Sequence, residues 1–318
     1  MHRRAYKDLI ERACAQLDIN IRHIAEDTII HLSKDDQIHY IVGVTFPLNN
    51  AAFYKIAGNK NLCSDILDVN SIPNIPHKVM FAPEVLKRRN IFTGNNNFIK
   101  EFITQYGFPV VIKKNNSSKG EGVYAVYNES ELESVVSQLS VTEVAVCLSP
   151  FRSNAREFRN IILDGKCLVS YEKKIPRVFG DGIQTLGEIL SKFILNSDTE
   201  SVKPEKYFEP NLITRLTEIP DKDEPIKLQW RHNRFLGTLY ELCEDPIVKS
   251  MATNAAIALG ARFASVDVVY TNEHGYEILE MSPSVFVHFP ILDPKTSKEV
   301  NIQVSIYVQA LKSLFETH

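Results

Sequence analysis

The sequence predicts an α+β protein in which helices pack on largely antiparallel sheets, and three observations carry that reading. Tyr6, Leu9, Ile10, Ala13 and Leu17 recur at helical spacing near the start of the chain. Apolar runs are joined by short turn signals, above all Asp164-Gly165 between residues 157–163 and 166–171. Capping patterns, Asn128 with Glu131 and Thr185 with Glu188, set helices directly after strand-like stretches.

Taken in order, the first helix is followed by apolar stretches at 29–32 and 38–44 that read as strands, giving a short N-terminal α/β unit. Ser71-Ile72-Pro73-Asn74-Ile75-Pro76 reads as a linker, because prolines fix φ and lack an N–H donor. Residues 108–112 are an apolar run that ends abruptly in Lys113-Lys114. A polar, glycine-containing loop follows, then a second strand at 123–127 and a helix whose buried stripe is Leu132, Val135, Val136 and Leu139. This strand–loop–strand–helix segment reads as a small lid. The rest reads as a larger antiparallel sheet with helices, so the expected organisation is 1–76, 77–148 and 149–318. Within the last part come a helix at 186–194 and a polar, acidic excursion at 196–227, of a length that is usually functional or mobile. A helix opened by Asp245-Pro246, a hairpin of 262–270 with 276–281, and a final helix ending near Phe315 complete it.

Composition narrows the function. The chain has 318 residues, enough for two domains, and its 36 Lys and Arg against 39 Asp and Glu leave a net charge of −3. Basic stretches such as Arg3-Arg4 and Lys87-Arg88-Arg89 are short and are answered by nearby acids. No broad positive surface is expected, and nucleic acid is not expected as the main partner. Residues 6–17 are too charged for the apolar core of an export signal, and no run reaches membrane-spanning length. Cys14, Cys63, Cys147, Cys167 and Cys243 are scattered and never spaced as CxxC. That usage suits buried thiols in a reducing compartment, so a cytoplasmic location is the expectation.

Two constellations carry chemistry. In Lys113-Lys114-Asn115-Asn116-Ser117-Ser118-Lys119-Gly120-Glu121-Gly122, a lysine leaves a buried strand and small residues follow. Ammonium and backbone N–H groups set out in this way can surround phosphates, and the glycines let the backbone approach them. A solvated hairpin loop with basic residues has the same composition. The segment is no Walker loop, and although Gly120-Glu121-Gly122-Val123 looks like part of a kinase glycine loop, no HRD or DFG motif follows, which excludes a protein kinase. The second constellation is Asp267 and Glu280. Paired across the 272–275 turn, these carboxylates sit nearly opposite one another in a half-buried sheet, where they repel unless a cation or protons intervene. Mg²⁺ shared with nucleotide phosphates fits such hard oxygen ligands, and Ser282 has the strand parity of Glu280. Outward-pointing acids, or acids paired with Arg or Lys, are the alternative.

The order of these motifs resembles the ATP-grasp enzymes, especially the branch containing cyanophycin synthetase and bifunctional glutathione synthetase. Phe108-Pro109-Val110-Val111-Ile112-Lys113 is similar to that family's strand ending in a nucleotide-binding lysine. Ser118-Lys119-Gly120-Glu121-Gly122-Val123 takes the place of its phosphate-covering loop. Arg156-Glu157-Phe158-Arg159, followed by Leu163-Asp164-Gly165-Lys166, resembles the stretch that supplies a nucleotide-contacting glutamate and a phosphate- or substrate-binding arginine. The segment from Lys174-Ile175-Pro176-Arg177 through Gly180-Asp181-Gly182 to Thr185-Leu186-Gly187-Glu188 is the most specific match. Lys60 looks like the earlier lysine of the nucleotide site, and Arg231-His232-Asn233 resembles part of a glycine-containing substrate loop with Phe235 where a glycine is common. Asp267, Glu280 and Ser282 fall where the family places Asp, Glu and Asn around two Mg²⁺ ions. Ser282 in place of asparagine, Lys114 in place of proline, and Cys147-Leu148-Ser149-Pro150 at the adenine hinge depart from the pattern.

The resemblance implies an ATP-grasp fold with a small lid, a larger antiparallel sheet and a short opening unit. It implies an ATP-dependent ligase that activates a carboxylate as an acyl phosphate and joins it to an amine. Lys60, Lys113, Ser118, Lys119, Gly120, Gly122, Glu157 and Lys174 are then the nucleotide-binding set, Arg159 and Arg231 the catalytic arginines, and Asp267, Glu280 and Ser282 the Mg²⁺ ligands. The substrates implied are small-molecule or peptide carboxylates and amines, and the architecture commonly forms dimers or tetramers. A small-molecule kinase of the same fold and a nucleotide-binding module with impaired catalysis are the rival readings.

Overall fold

The helix His2–Ala15 buries Tyr6, Leu9, Ile10 and Ala13, the stripe its apolar spacing dictates. β1 (Asn20–Ile24), β2 (Ile29–Lys34) and β3 (Gln37–Val42) follow as an antiparallel sheet in that order. Ile30 and Leu32, two apart on β2, point into the core. These elements come from a computed structural model, which describes residues 2–81, 95–115, 122–142, 145–196, 210–231, 238–287 and 290–316.

Two helices, Ala51–Ala57 and Lys60–Val69, are each opened by an asparagine. Asn50 Oδ1 accepts from Phe53 N at 2.8 Å, and Asn59 Oδ1 accepts from Leu62 N at 3.2 Å. The second cap fixes where Lys60 stands. The linker expected at 71–76 is built into a sheet edge: Ile278 N donates to Pro73 O, and Ile75 N donates to Ile278 O, both at 2.9 Å. Pro73 lacks a donor but keeps its carbonyl, so a proline at this edge leaves no bond unmade.

β4 (Lys78–Phe81), β5 (Val110–Lys114), β6 (Val123–Val126) and β7 (Ala145–Pro150) form a four-stranded antiparallel sheet ordered β4-β7-β5-β6. The helices Asn95–Tyr106 and Glu129–Thr142 pack on it through Phe102, Leu132 and Leu139. The expected capping box forms: Glu131 N donates to Asn128 Oδ1 at 3.0 Å, and Tyr127 N donates to Glu131 Oε2 at 2.9 Å.

β8 (Arg156–Leu163) and β9 (Lys166–Lys174) turn through Asp164 and Gly165, both at positive φ, 46° and 73°. The chain forms two compact units, residues 1–171 with 242–318, and residues 172–241. In the smaller unit, β10 (Arg177–Phe179) pairs antiparallel with β11 (Pro225–Lys227). Val178, Leu186, Leu190, Leu212, Ile226 and Leu228 are its core, with helices at Leu186–Asn196 and Pro210–Thr214. The excursion expected at 196–227 is therefore partly built structure. Leu212 and Ile226, the residues of this stretch that enter the core, are what fold it, and average polarity conceals them. Residues 197–209 lie outside the described residues.

The Gly180-Asp181-Gly182 turn belongs to this unit. Asp181 Oδ1 accepts from Ile183 N and Gln184 N at 2.8 and 2.7 Å, and Gly180 N donates to Glu224 O at 3.0 Å. A Cβ on Gly180 would fall 2.1 Å from Asp221 O, so only glycine fits against that backbone.

β12 (Leu239–Leu242) leads back to the larger unit, where Asp245 caps the helix Pro246–Ala258. β13 (Phe263–Thr271) and β14 (Gly275–Ser282) then form the predicted hairpin, and the strands of the main sheet in this unit run β14-β13-β8-β9. The short pair β15 (Ile291–Leu292) and β16 (Glu299–Val300) precedes the helix Gln303–Glu316. Its Tyr307 packs edge-on against Tyr6 of the first helix. Cys14, Cys63 and Cys147 are buried free thiols as expected, whereas Cys167 and Cys243 are only half-buried. Among the described residues no helix is long and apolar enough to cross a membrane.

Candidate nucleotide and metal site

β13 is buried along almost its whole length, as its run of small and branched apolar residues requires. Asp267 is the charge in that run, and it is 2% exposed. Register places it directly between Arg159 of β8 and Glu280 of β14. The ladder shifts after Asp267, so Val268 pairs with Ile278 and Leu279 is left as a bulge next to Glu280. Directly opposed residues share a sheet face, so Arg159, Asp267 and Glu280 form one row across three strands.

Arg159 grips Asp267 through both nitrogens of its fork, Nε to Oδ1 at 2.7 Å and Nη2 to Oδ2 at 2.6 Å. Burial pulls this guanidinium down, but the Asp267 carboxylate outweighs it and holds Arg159 well above its ordinary value. Lys60 Nζ lies 3.9 Å from Glu280 Oε2 and donates to Asn115 O at 3.4 Å. The alternative in which the two acids pair with cations is thus the geometry present.

Lys113, next to last in β5, is only 6% exposed and pairs opposite Cys147 of β7. Burial lowers its ammonium below the usual lysine value. Glu280, Cys147 and Glu157 push it back up, while Lys60 adds to the lowering. Lys60, Lys113, Glu157, Arg159, Asp267 and Glu280 therefore share one electrostatic neighbourhood. Gly122, at φ +65°, closes the far side of the loop; a Cβ there would fall 2.9 Å from Lys114 Cε. Ser282 Oγ is engaged locally, donating to Ser284 O at 3.3 Å and accepting from Ser284 N at 3.2 Å.

Two carboxylates on opposed positions fit Mg²⁺, which takes one or two carboxylates and completes its shell with water and phosphate oxygens. Among the described residues no cluster of three or more His, Cys, Asp or Glu side chains is placed to hold a metal ion. The remaining oxygens would then belong to a nucleotide.

Lys174 and Arg231 lie in the smaller unit. Lys174 Nζ is 2.8 Å from Glu172 Oε2 and 3.5 Å from Glu241 Oε2. Ser118, Lys119, Gly120, His232, Asn233 and Phe235 lie outside the described residues. Sequence reasoning missed His77. It is fully buried, and burial first, then Lys113 and Lys60, hold its imidazole well below the ordinary histidine value. Its Nε2 has no hydrogen-bond partner among the described residues. It lines a cavity of about 190 Å³ with Lys60, Ser64 and Glu280. Only its place directly after the two-proline linker could have marked it.

Comparison with known proteins points to one fold. Residues 60–177 match the family model of the RimK-like ATP-grasp domain. The chain is 21% identical over 268 residues to the glutathione biosynthesis bifunctional protein GshAB of Streptococcus agalactiae, covering 78% of this chain and 34% of that protein. It spans about a third of the length of the curated relatives it matches. The crystal structure of a bifunctional glutathione synthetase from Pasteurella multocida aligns with a TM-score of 0.59 at 16% identity, over 97% of this chain and 43% of that one. D-alanine–D-alanine ligase from Bacillus anthracis aligns at 0.50 and 17% identity, over 85% and 69%. At these identities the likeness establishes the fold.

Proposed function

We propose that the protein is an ATP-dependent carboxylate–amine ligase. The observation that carries this reading is the meeting of Lys60 and Lys113 with the Arg159–Asp267–Glu280 row in an ATP-grasp fold. Lys60 and Lys113 hold the phosphates of ATP, with Ser118, Lys119, Gly120 and Gly122 covering them from the lid at 77–148, and Glu157 contacts the adenosine. Lys174 completes the nucleotide set. Asp267, Glu280 and Ser282 are the ligands of Mg²⁺, two ions in the fullest form of the reading, and the metal supplies charge neutralisation on the phosphates.

The substrate carboxylate attacks the γ-phosphorus, the bond to the β-phosphate oxygen breaks, and ADP leaves. Arg159 and Arg231 orient the resulting acyl phosphate by bidentate contacts. An amine then attacks the acyl carbon, the bond to phosphate breaks, and the amine gives up a proton as the amide forms. Closure of the lid keeps water from the acyl phosphate. The carboxylate and amine are small molecules or peptides, handled in a reducing, cytoplasmic setting.

The test is a screen of ADP release over amino acids and short peptides, with mass spectrometry of the products. An amide, with ADP and phosphate, supports the ligase; a phosphorylated product points to a kinase of the same fold. Asp267→Asn and Glu280→Gln are each expected to lower Mg²⁺-dependent ADP release by about a hundredfold, and full retained activity would sink the metal assignment. A nucleotide-binding module without turnover is the second reading. It is favoured by Ser282, whose hydroxyl stands in place of an asparagine amide and already donates to Ser284 O and accepts from Ser284 N. Ser282→Asn separates the two: a gain in turnover supports a weakened ligase, and no turnover in either form supports the module.

A further inference from the structure

The proposed metal ligands are not bare. Both oxygens of Asp267 are held by the Arg159 fork at 2.7 and 2.6 Å, and Glu280 has Lys60 Nζ at 3.9 Å. Direct register pairing places Arg159 beside Asp267 and Asp267 beside Glu280, so the arrangement is set by the sheet rather than by a wandering surface side chain. Read along the row, the charges are cation, anion, anion, cation. Lys113 and Glu157 add one more charge of each sign, so among the described residues Lys60, Lys113 and Arg159 stand against Glu157, Asp267 and Glu280.

Resting on the nucleotide and metal reading above, we propose that Arg159 and Lys60 are built-in counter-ions of the two metal-binding carboxylates, so that the protein accepts a divalent ion only together with nucleotide. A divalent ion arriving alone meets carboxylates already paired with cations, and it would have to displace a bidentate guanidinium from Asp267, which is 2% exposed. Nucleotide phosphates change the balance. They offer Arg159 and Lys60 a richer set of acceptor oxygens, and a guanidinium fork fits phosphate as well as carboxylate. Transfer of the cations to phosphate frees Asp267 and Glu280 at the moment the nucleotide brings its own metal. Arg159 is then a positioning residue for metal loading as well as a substrate contact. The protein is protected from taking up free divalent ions in the absence of ATP.

The experiment uses Mn²⁺ as a paramagnetic probe, with the free ion followed by electron paramagnetic resonance as the full-length protein is titrated. Wild-type protein without nucleotide is expected to leave millimolar Mn²⁺ free, and to bind it when ADP is added. Arg159→Gln is expected to bind Mn²⁺ without nucleotide about tenfold more tightly than wild type, or better, because a cation is removed from the row. Lys60→Gln shifts affinity in the same direction and is the deciding variant if Arg159→Gln does not fold. Tight nucleotide-free Mn²⁺ binding by wild type overturns the counter-ion inference while leaving the metal site intact. So does an unchanged affinity in whichever folded variant is measured. Failure of wild type to bind Mn²⁺ even with ADP overturns the metal reading itself, and the inference with it.

Discussion

Asp267 and His77 illustrate two ways in which a buried polar group is tolerated. Asp267 sits in an apolar strand because Arg159 takes both of its oxygens. His77 is tolerated by staying neutral: burial, with Lys113 and Lys60 close by, holds its imidazole well below the ordinary value of 6.5. As pH falls through that ordinary value, the unfolded chain takes up a proton at this histidine and the folded chain does not. Stability therefore declines on the acid side of 6.5, at a slope approaching about 1.4 kcal/mol per pH unit from this group. His77→Gln is expected to flatten the urea-unfolding free energy against pH by that amount between neutrality and mild acid. Equal slopes in the two proteins would contradict the assignment. Asp267, Glu280 and Lys113 stand out from residue type and strand pattern, whereas Lys60 stands out only through the family resemblance. His77 does not stand out, because nothing in a single histidine after a linker tells whether it is buried or which lysines surround it. The Arg159 grip on Asp267 was open for the same reason: spacing shows which residues can face each other, not which cation reaches which acid.

At the scale of elements, the parts that could be read were those with local chemistry. The Asn128–Glu131 and Thr185–Glu188 boxes, the Asp164-Gly165 turn and the β13–β14 hairpin all follow from short-range rules and stand where they were expected. The 196–227 stretch is more ordered than its polar average suggests because Leu212 and Ile226 join the core with Val178 and Leu190. The Gly180-Asp181-Gly182 turn carried the most specific family likeness, and its immediate role is structural, a close backbone approach to residues 220–224. Gly180→Ala is expected to cost about 1–3 kcal/mol of stability through overpacking. Hydrogen exchange of the Ile183 and Gln184 amides reports it directly, since both are held by Asp181. Wild-type protection of those amides in the variant would show that the turn yields more easily than the geometry requires.

For the whole molecule, the proposed phosphate-binding lysines Lys60 and Lys113 both belong to the larger unit, where they converge on Glu280. The RimK-like match begins at Lys60 and ends at Arg177, so Asp267, Glu280 and Arg231 extend the proposed site beyond it. A ligand that binds only the folded state stabilises it, by about 2.7 kcal/mol at a hundred times its Kd. Mg²⁺ with ATP is therefore expected to raise the thermal midpoint. The most direct measurement is calorimetric titration of ATP with Mg²⁺ into wild type and Lys113→Met. Methionine keeps most of the buried stem and removes an ammonium that burial already disfavours, so the variant is expected to fold at least as well as wild type. Wild type is expected to bind saturably, and the variant at least about tenfold more weakly. Equal affinity in the two proteins, or no binding by wild type, would contradict the proposed nucleotide site.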